Sequence, residues 1–121
     1  MGNDCIFCKI VKGEIPSHKV YEDDFFIAFM DIFPTVKGHT LIIPKEHCVN
    51  ALDTPTHIAE KFYPIISKLA NAIKKAYNAD GINIIQNNGS ASGQEVFHSH
   101  VHIIPRYNND GLGYTHLLGY R

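Results

Sequence analysis

The chain has 121 residues, a formal net charge of −1, 45 % hydrophobic and 19 % charged residues. That is the length of one domain (residues 1–121, with 107–121 as a tail), and its scattered Lys and Arg leave no basic face for nucleic acid. No apolar run approaches the ~20 residues of a membrane span and no signal-peptide pattern opens the chain, so a cytoplasmic, reducing location is expected.

Three cysteines, two of them in Cys5-Ile6-Phe7-Cys8, fit that compartment, since an odd number suits metal or redox chemistry better than a disulfide framework. Apolar residues at 6, 7, 10 and 11 predict a short helix, with Asp4 as N-cap and Gly13 as its stop. Cys5 and Cys8 then share its first turn. As a motif this is half a zinc site, with a redox couple or plain core cysteines as the alternatives.

Residues 19–21 and 25–30 read as two strands around the acidic turn Glu22-Asp23-Asp24. Asp31 follows at a strand end beside an apolar patch, a place to hold a ribose diol. Its simpler reading is a turn before Pro34. Thr40 to Ile43 lacks polar alternation and predicts a strand covered on both faces. His39 and His47 flank it and, taken singly, each reads as a surface residue.

Thr54 and Pro55 open the longest helix as N-cap and first helical residue. Ile58, Phe62, Ile65, Leu69, Ile73 and Ala76 give it one apolar stripe, and Gly81 is its expected exit. Residues 81–87 form a further strand. Asn88 to Glu95 is a loop of small residues whose N–H groups suit an anion, or a plain connection.

That loop delivers the chain into Phe97-His98-Ser99-His100-Val101-His102-Ile103-Ile104-Pro105-Arg106. On a strand, histidines at i, i+2 and i+4 project from one face, roughly 6.5–7 Å apart. Like titratable groups so stacked repel one another, which favours a functional origin. The row is either a metal-ligand set or a phosphate-handling, nucleophilic site. The tail from Tyr107 to Arg121, rich in Gly and Asn, is expected to be a loop or an oligomer arm.

The succession of Cys5-Ile6-Phe7-Cys8, Gly38-His39-Thr40, Ile43-Pro44-Lys45, Gly89 and His98-x-His100-x-His102 resembles the histidine triad family over most of the chain. It looks like the branch of nucleotide-binding proteins acting on nucleoside phosphoramidates and related adenylates. The resemblance implies His100 as nucleophile at the α-phosphorus, with His102 and His39 at the phosphate. It implies Asn87, Gly93, Gln94 and Glu95 as the phosphate loop and Asp31 on the ribose, overriding the turn reading. Ile6, Phe7, Ile10, Phe29 and Ile32 become the base pocket for a purine nucleotide.

In bacterial-type members a Cys-x-x-Cys pair and two histidines bind zinc, which implies Cys5, Cys8, His47 and His98 here. Some relatives carry serine where this chain has Glu95, so a phosphate contact there falls to the backbone. A C-terminal tryptophan of some relatives has no counterpart. The fold expected is α+β, an antiparallel sheet of about five strands with one long and one short helix. The resemblance also implies a homodimer that joins two sheets. Beside the nucleotidyl hydrolase stand two other readings: a metallohydrolase using the histidine row as ligands, and a non-catalytic nucleotide-binding protein.

Overall fold

In a computed structural model describing residues 4–112, the chain runs α1 (Ile6–Val11), β1 (Lys19–Glu22), β2 (Phe26–Met30), β3 (Thr40–Pro44), α2 (Thr56–Ala76), β4 (Gly81–Ile85), a single 3₁₀ turn (Ser90–Ser92) and β5 (Val101–Arg106). The five strands form one antiparallel sheet in the order β1-β2-β3-β5-β4. This is the α+β arrangement expected. Among the described residues no helix is long and apolar enough to cross a membrane.

β3 is buried along its whole length, as its unbroken apolar run requires. Ile42 faces α2 together with Phe26, Ala28, Val101 and Ile103, and they meet Ile58, Phe62, Ile66, Leu69 and Ile73. Leu41 and Ile43 face the other way with Ile27 and Phe29, against Phe7 and Ile10 of α1. Residues opposite each other in an antiparallel ladder share a face. His102 pairs with Leu41, so it emerges on the α1 side, away from the long helix.

Several local expectations give way. The N-cap of α1 is Cys5, not Asp4, its sulfur accepting from Cys8 N–H at 3.2 Å. α2 starts one residue later than expected, with Pro55 as N-cap, because the Thr54 hydroxyl donates instead to Asn50 O at 2.7 Å. The helix turns its Ile66 and Ala70 inward, leaves Ile65 half-buried and exposes Ala76. It ends through Asn78 in the left-handed region (φ 51°), so Gly81 opens β4 rather than closing the helix.

Of the predicted tail, Tyr107–Leu112 is folded back: the Tyr107 hydroxyl donates to Tyr77 O, and Arg106 holds the Asp110 carboxylate. The rest of the tail lies outside the described residues.

Candidate functional site

The histidine row divides at the start of β5. Only His102 sits in the ladder, whereas His98 and His100 precede it. Ser99 N–H donates to Cys48 O at 2.7 Å, because β3 has already ended at Pro44. The expected strand through residues 97–100 is therefore an irregular lead-in, bent over residues 96–98. Alternation persists all the same: the Phe7 ring meets His98 and His100 edgewise, with centroids 5.9 and 5.2 Å away. His100 and His102 follow with ring centroids 5.1 Å apart.

His98 turns away from its two companions. Its Nε2 lies 2.8 Å from Pro44 O; a carbonyl only accepts, so Nε2 carries the proton and Nδ1 presents its lone pair. Around that nitrogen stand Cys5 Sγ at 3.3 Å, Cys8 Sγ at 3.5 Å and His47 Nδ1 at 3.2 Å. Cys8 Sγ is also 3.2 Å from His47 Nδ1. One lone pair cannot serve three donors, and two nitrogens so close repel unless a cation lies between them.

The four ligand atoms of Cys5, Cys8, His47 and His98 lie within 4.8 Å of one another, close enough to share one metal ion. Two sulfurs and two imidazoles are the donor set of structural zinc. Burial depresses the His98 pKa to about 4, keeping it the neutral ligand a metal needs. Burial and the neighbouring Cys5 push the Cys8 thiol up to about 11, so its thiolate form requires a cation beside it. The Pro44 carbonyl orients the His98 ring, as outer partners do at metal sites.

His100 takes the opposite tautomer. Its Nδ1 lies 2.8 Å from His98 O, which can only accept, so the proton is on Nδ1 and Nε2 carries the ring's lone pair. Beside it opens an apolar cavity of about 200 Å³. Ile6, Phe7, Ile10, Phe29, Asp31 and Ile32 all line it, together with His100 and His102. Residues that the sequence did not single out complete the wall: Ile15, Pro16 and Ser17 after α1, Met30, Phe33, Leu41 and Val96. Leu41 was findable in principle, as the register partner of the last histidine.

Asp31 is 6 % exposed; its Oδ1 accepts from Phe33 N–H at 3.0 Å, and its Oδ2 is 3.4 Å from His39 Nε2. The one side chain thus both closes the turn and lines the cavity. His39 is buried, contrary to the surface reading of the lone residue. It stands behind His102, its Nε2 2.9 Å from His102 Nδ1, and does not reach the cavity wall.

The expected phosphate loop is less uniform than its sequence suggests. Gly93 ends the 3₁₀ turn with a left-handed φ of 103°. Gln94 is buried: its Oε1 accepts from Asn50 Nδ2 and Gly89 N–H, while its Nε2 donates to Val49 O and Val96 O. Its polar atoms knit the loop to the segment after β3. Asn50 was missed, since nothing local marks it. Glu95 is exposed on a neighbouring groove with Asp4, Cys5, His47 and Phe97, and half-buried Asn87 lies off the cavity wall.

Comparison with known proteins agrees with this layout. A family model described as the HIT domain matches residues 12–109. An uncharacterized HIT-like protein of Borreliella burgdorferi is 50 % identical over 113 residues, covering 92 % of this chain and 81 % of that protein. Adenylylsulfatase HINT3 of Arabidopsis thaliana is 46 % identical over 91 % of this chain, which spans only 56 % of that longer protein. A crystal structure of a zinc-bound histidine triad family protein from Mycobacterium smegmatis superposes with a TM-score of 0.88 at 38 % identity, covering 98 % of this chain and 93 % of that one. With one histidine facing two cysteines and two facing an apolar cavity, and with relatives of this kind along nearly its whole length, the chain belongs to the HIT, or histidine triad, family.

Proposed function

We propose that the protein is a nucleotide-binding hydrolase that cleaves at the α-phosphorus of purine nucleoside phosphoramidates or related adenylates, through a nucleotidyl intermediate on His100. The observation that carries this reading is the tautomer of His100. Its Nδ1 proton is held by His98 O, and the residue lines a cavity that the acid Asp31 also lines.

Phe7, Ile10 and Phe29 offer flat apolar surface for a base, and Asp31 is the acceptor for the ribose hydroxyls. The cavity is smaller than the ~300–1,000 Å³ of sites that enclose a whole ligand, so base and sugar enter and the phosphate stays at the histidines. His100 Nε2 attacks phosphorus, and the P–N or P–O bond to the leaving group breaks as that group takes up a proton. Water then attacks the phosphorus–histidine bond, releasing the nucleoside monophosphate and free His100. Such transfers depend on positioning and charge stabilisation, to which a flanking imidazole contributes.

Zinc at Cys5, Cys8, His47 and His98 would supply structural cross-linking of α1 to the lead-in of β5, remote from the chemistry. β4 is an outer strand of the sheet, with half-exposed Ile84, and is the edge across which a homodimer would extend it. A single domain working in the cytoplasm completes the proposal.

The metallohydrolase reading is disfavoured, because among the described residues His98 and His102 fall in two separate donor groups and His100 in neither. The non-catalytic reading is tested directly. Purified protein is given an adenosine phosphoramidate: the wild type should release AMP and His100→Asn should bind but not turn over. Equal turnover by both would sink the proposal.

A further inference from the structure

His39 is fully buried, off the cavity, and yet in direct contact with a histidine that lines it. We propose that His39 is a positioning residue: held by the Thr35 backbone amide, it fixes the tautomer of His102 so that His102 presents an N–H to the substrate. This rests on the nucleotide reading only for what that N–H meets.

The chain of constraint starts at a group that cannot titrate. Thr35 N–H donates to His39 Nδ1 at 3.2 Å, and a backbone amide has no other role to play. His39 Nδ1 is therefore a lone pair, and the neutral ring carries its proton on Nε2. A doubly protonated His39 would point Nδ1–H at the Thr35 N–H, so the ring is held neutral. The Asp31 carboxylate oxygen, 3.4 Å from the same Nε2, is an acceptor and favours a proton there.

His39 Nε2 lies 2.9 Å from His102 Nδ1 and, carrying the proton, donates to it. His102 Nδ1 is then the acceptor, and the neutral His102 ring keeps its proton on Nε2. Among the described residues, the other titratable side chains at this cluster are Asp31 and His100, both on the cavity wall. The two rings beside the phosphate thus have complementary tautomers. His100 offers a lone pair, fixed by His98 O, and His102 offers a hydrogen-bond donor, fixed by Thr35 N–H through His39. The Thr35 backbone, acting through His39, sets the polarity of the reaction centre from behind the cavity wall.

The test uses the full-length protein with its metal, labelled with ¹⁵N in the histidine rings. The nitrogen shifts of His102 distinguish a protonated from an unprotonated ring nitrogen. His102 should carry its proton on Nε2 in the wild type and in His39→Gln, whose amide nitrogen still donates. In His39→Glu an acceptor replaces the donor, and the proton of His102 should move to Nδ1. In parallel, kcat should fall by less than about 10-fold in His39→Gln and by about 10²–10³-fold in His39→Glu, the loss expected for one aligned donor, with KM changing less. A wild-type His102 protonated on Nδ1 would overturn the proposal, as would an unchanged tautomer in a folded His39→Glu. If the glutamate does not fold, the wild-type spectrum alone decides. The hydrolase reading fails separately, by absence of turnover with the tautomers as expected.

Discussion

His100 donates its Nδ1 proton to the backbone carbonyl of His98, 2.8 Å away, so one residue serves two sites at once. The His98 side chain faces Cys5, Cys8 and His47, while its main chain orients the neighbouring imidazole. Anything that holds the His98 ring also holds the peptide that aims His100. The metal cluster and the cavity are thereby joined by one short segment of chain.

Removing the metal should cost stability before it costs chemistry. Chelation is expected to lower Tm by about 10 °C or more, since metal binding to the folded chain is folding free energy. The protein still folded at lower temperature should keep its rate within about threefold. Calorimetry and initial rates on the same chelated sample check this. Loss of turnover at unchanged Tm would instead make the metal catalytic.

The metal-free protein should also be acid-sensitive through His98. Its folded pKa of about 4 lies below the ordinary 6.5, so the unfolded chain binds the proton first. The stabilisation is full above pH 6.5 and is lost as pH falls towards 4, on the order of 3 kcal/mol in all. Urea unfolding of chelated wild type and His98→Gln at pH 7, 6 and 5 isolates this share. The wild type should weaken more steeply than the variant, and parallel slopes would contradict the assignment.

Asp31→Asn should weaken a ribonucleotide more than its 2′,3′-dideoxy analogue. Loss of a charged acceptor for hydroxyls corresponds to about 1.5–3 kcal/mol, or roughly 10–150-fold in KM. The dideoxy compound should change by far less. Equal losses for both substrates would remove Asp31 from the ribose.

Gln94→Ala leaves the Gly89 amide and the Val49 and Val96 carbonyls without the partners they have in the native protein. A cost of about 2 kcal/mol or more is expected, with faster hydrogen exchange in residues 88–97. Its importance could not be read from the sequence, because its partners Asn50 and Val49 are 44 and 45 residues away. The same distance problem hid half of the metal site. Cys5 and Cys8 announced themselves by spacing, whereas His47 and His98 stand 39 and 90 residues from Cys8 and entered only through family resemblance.

What could be read locally was what periodicity controls. The apolar stripe of α2, the doubly buried β3 and the one-sided histidine row follow from 3.6- and 2-residue repeats. Caps and tautomers follow from where backbone amides happen to lie. Cys5 rather than Asp4 caps α1, and Thr35 governs His39, for reasons visible only in three dimensions.

The central claim is that His100 becomes covalently nucleotidylated, and rapid chemical quench followed by intact-protein and peptide mass measurement tests it most directly. Mixed with excess adenosine phosphoramidate and quenched during turnover, the wild type should carry one adenylyl group on the peptide containing His100, and His100→Gly should carry none. Steady turnover with no adduct, or an adduct that persists in His100→Gly, would contradict the account.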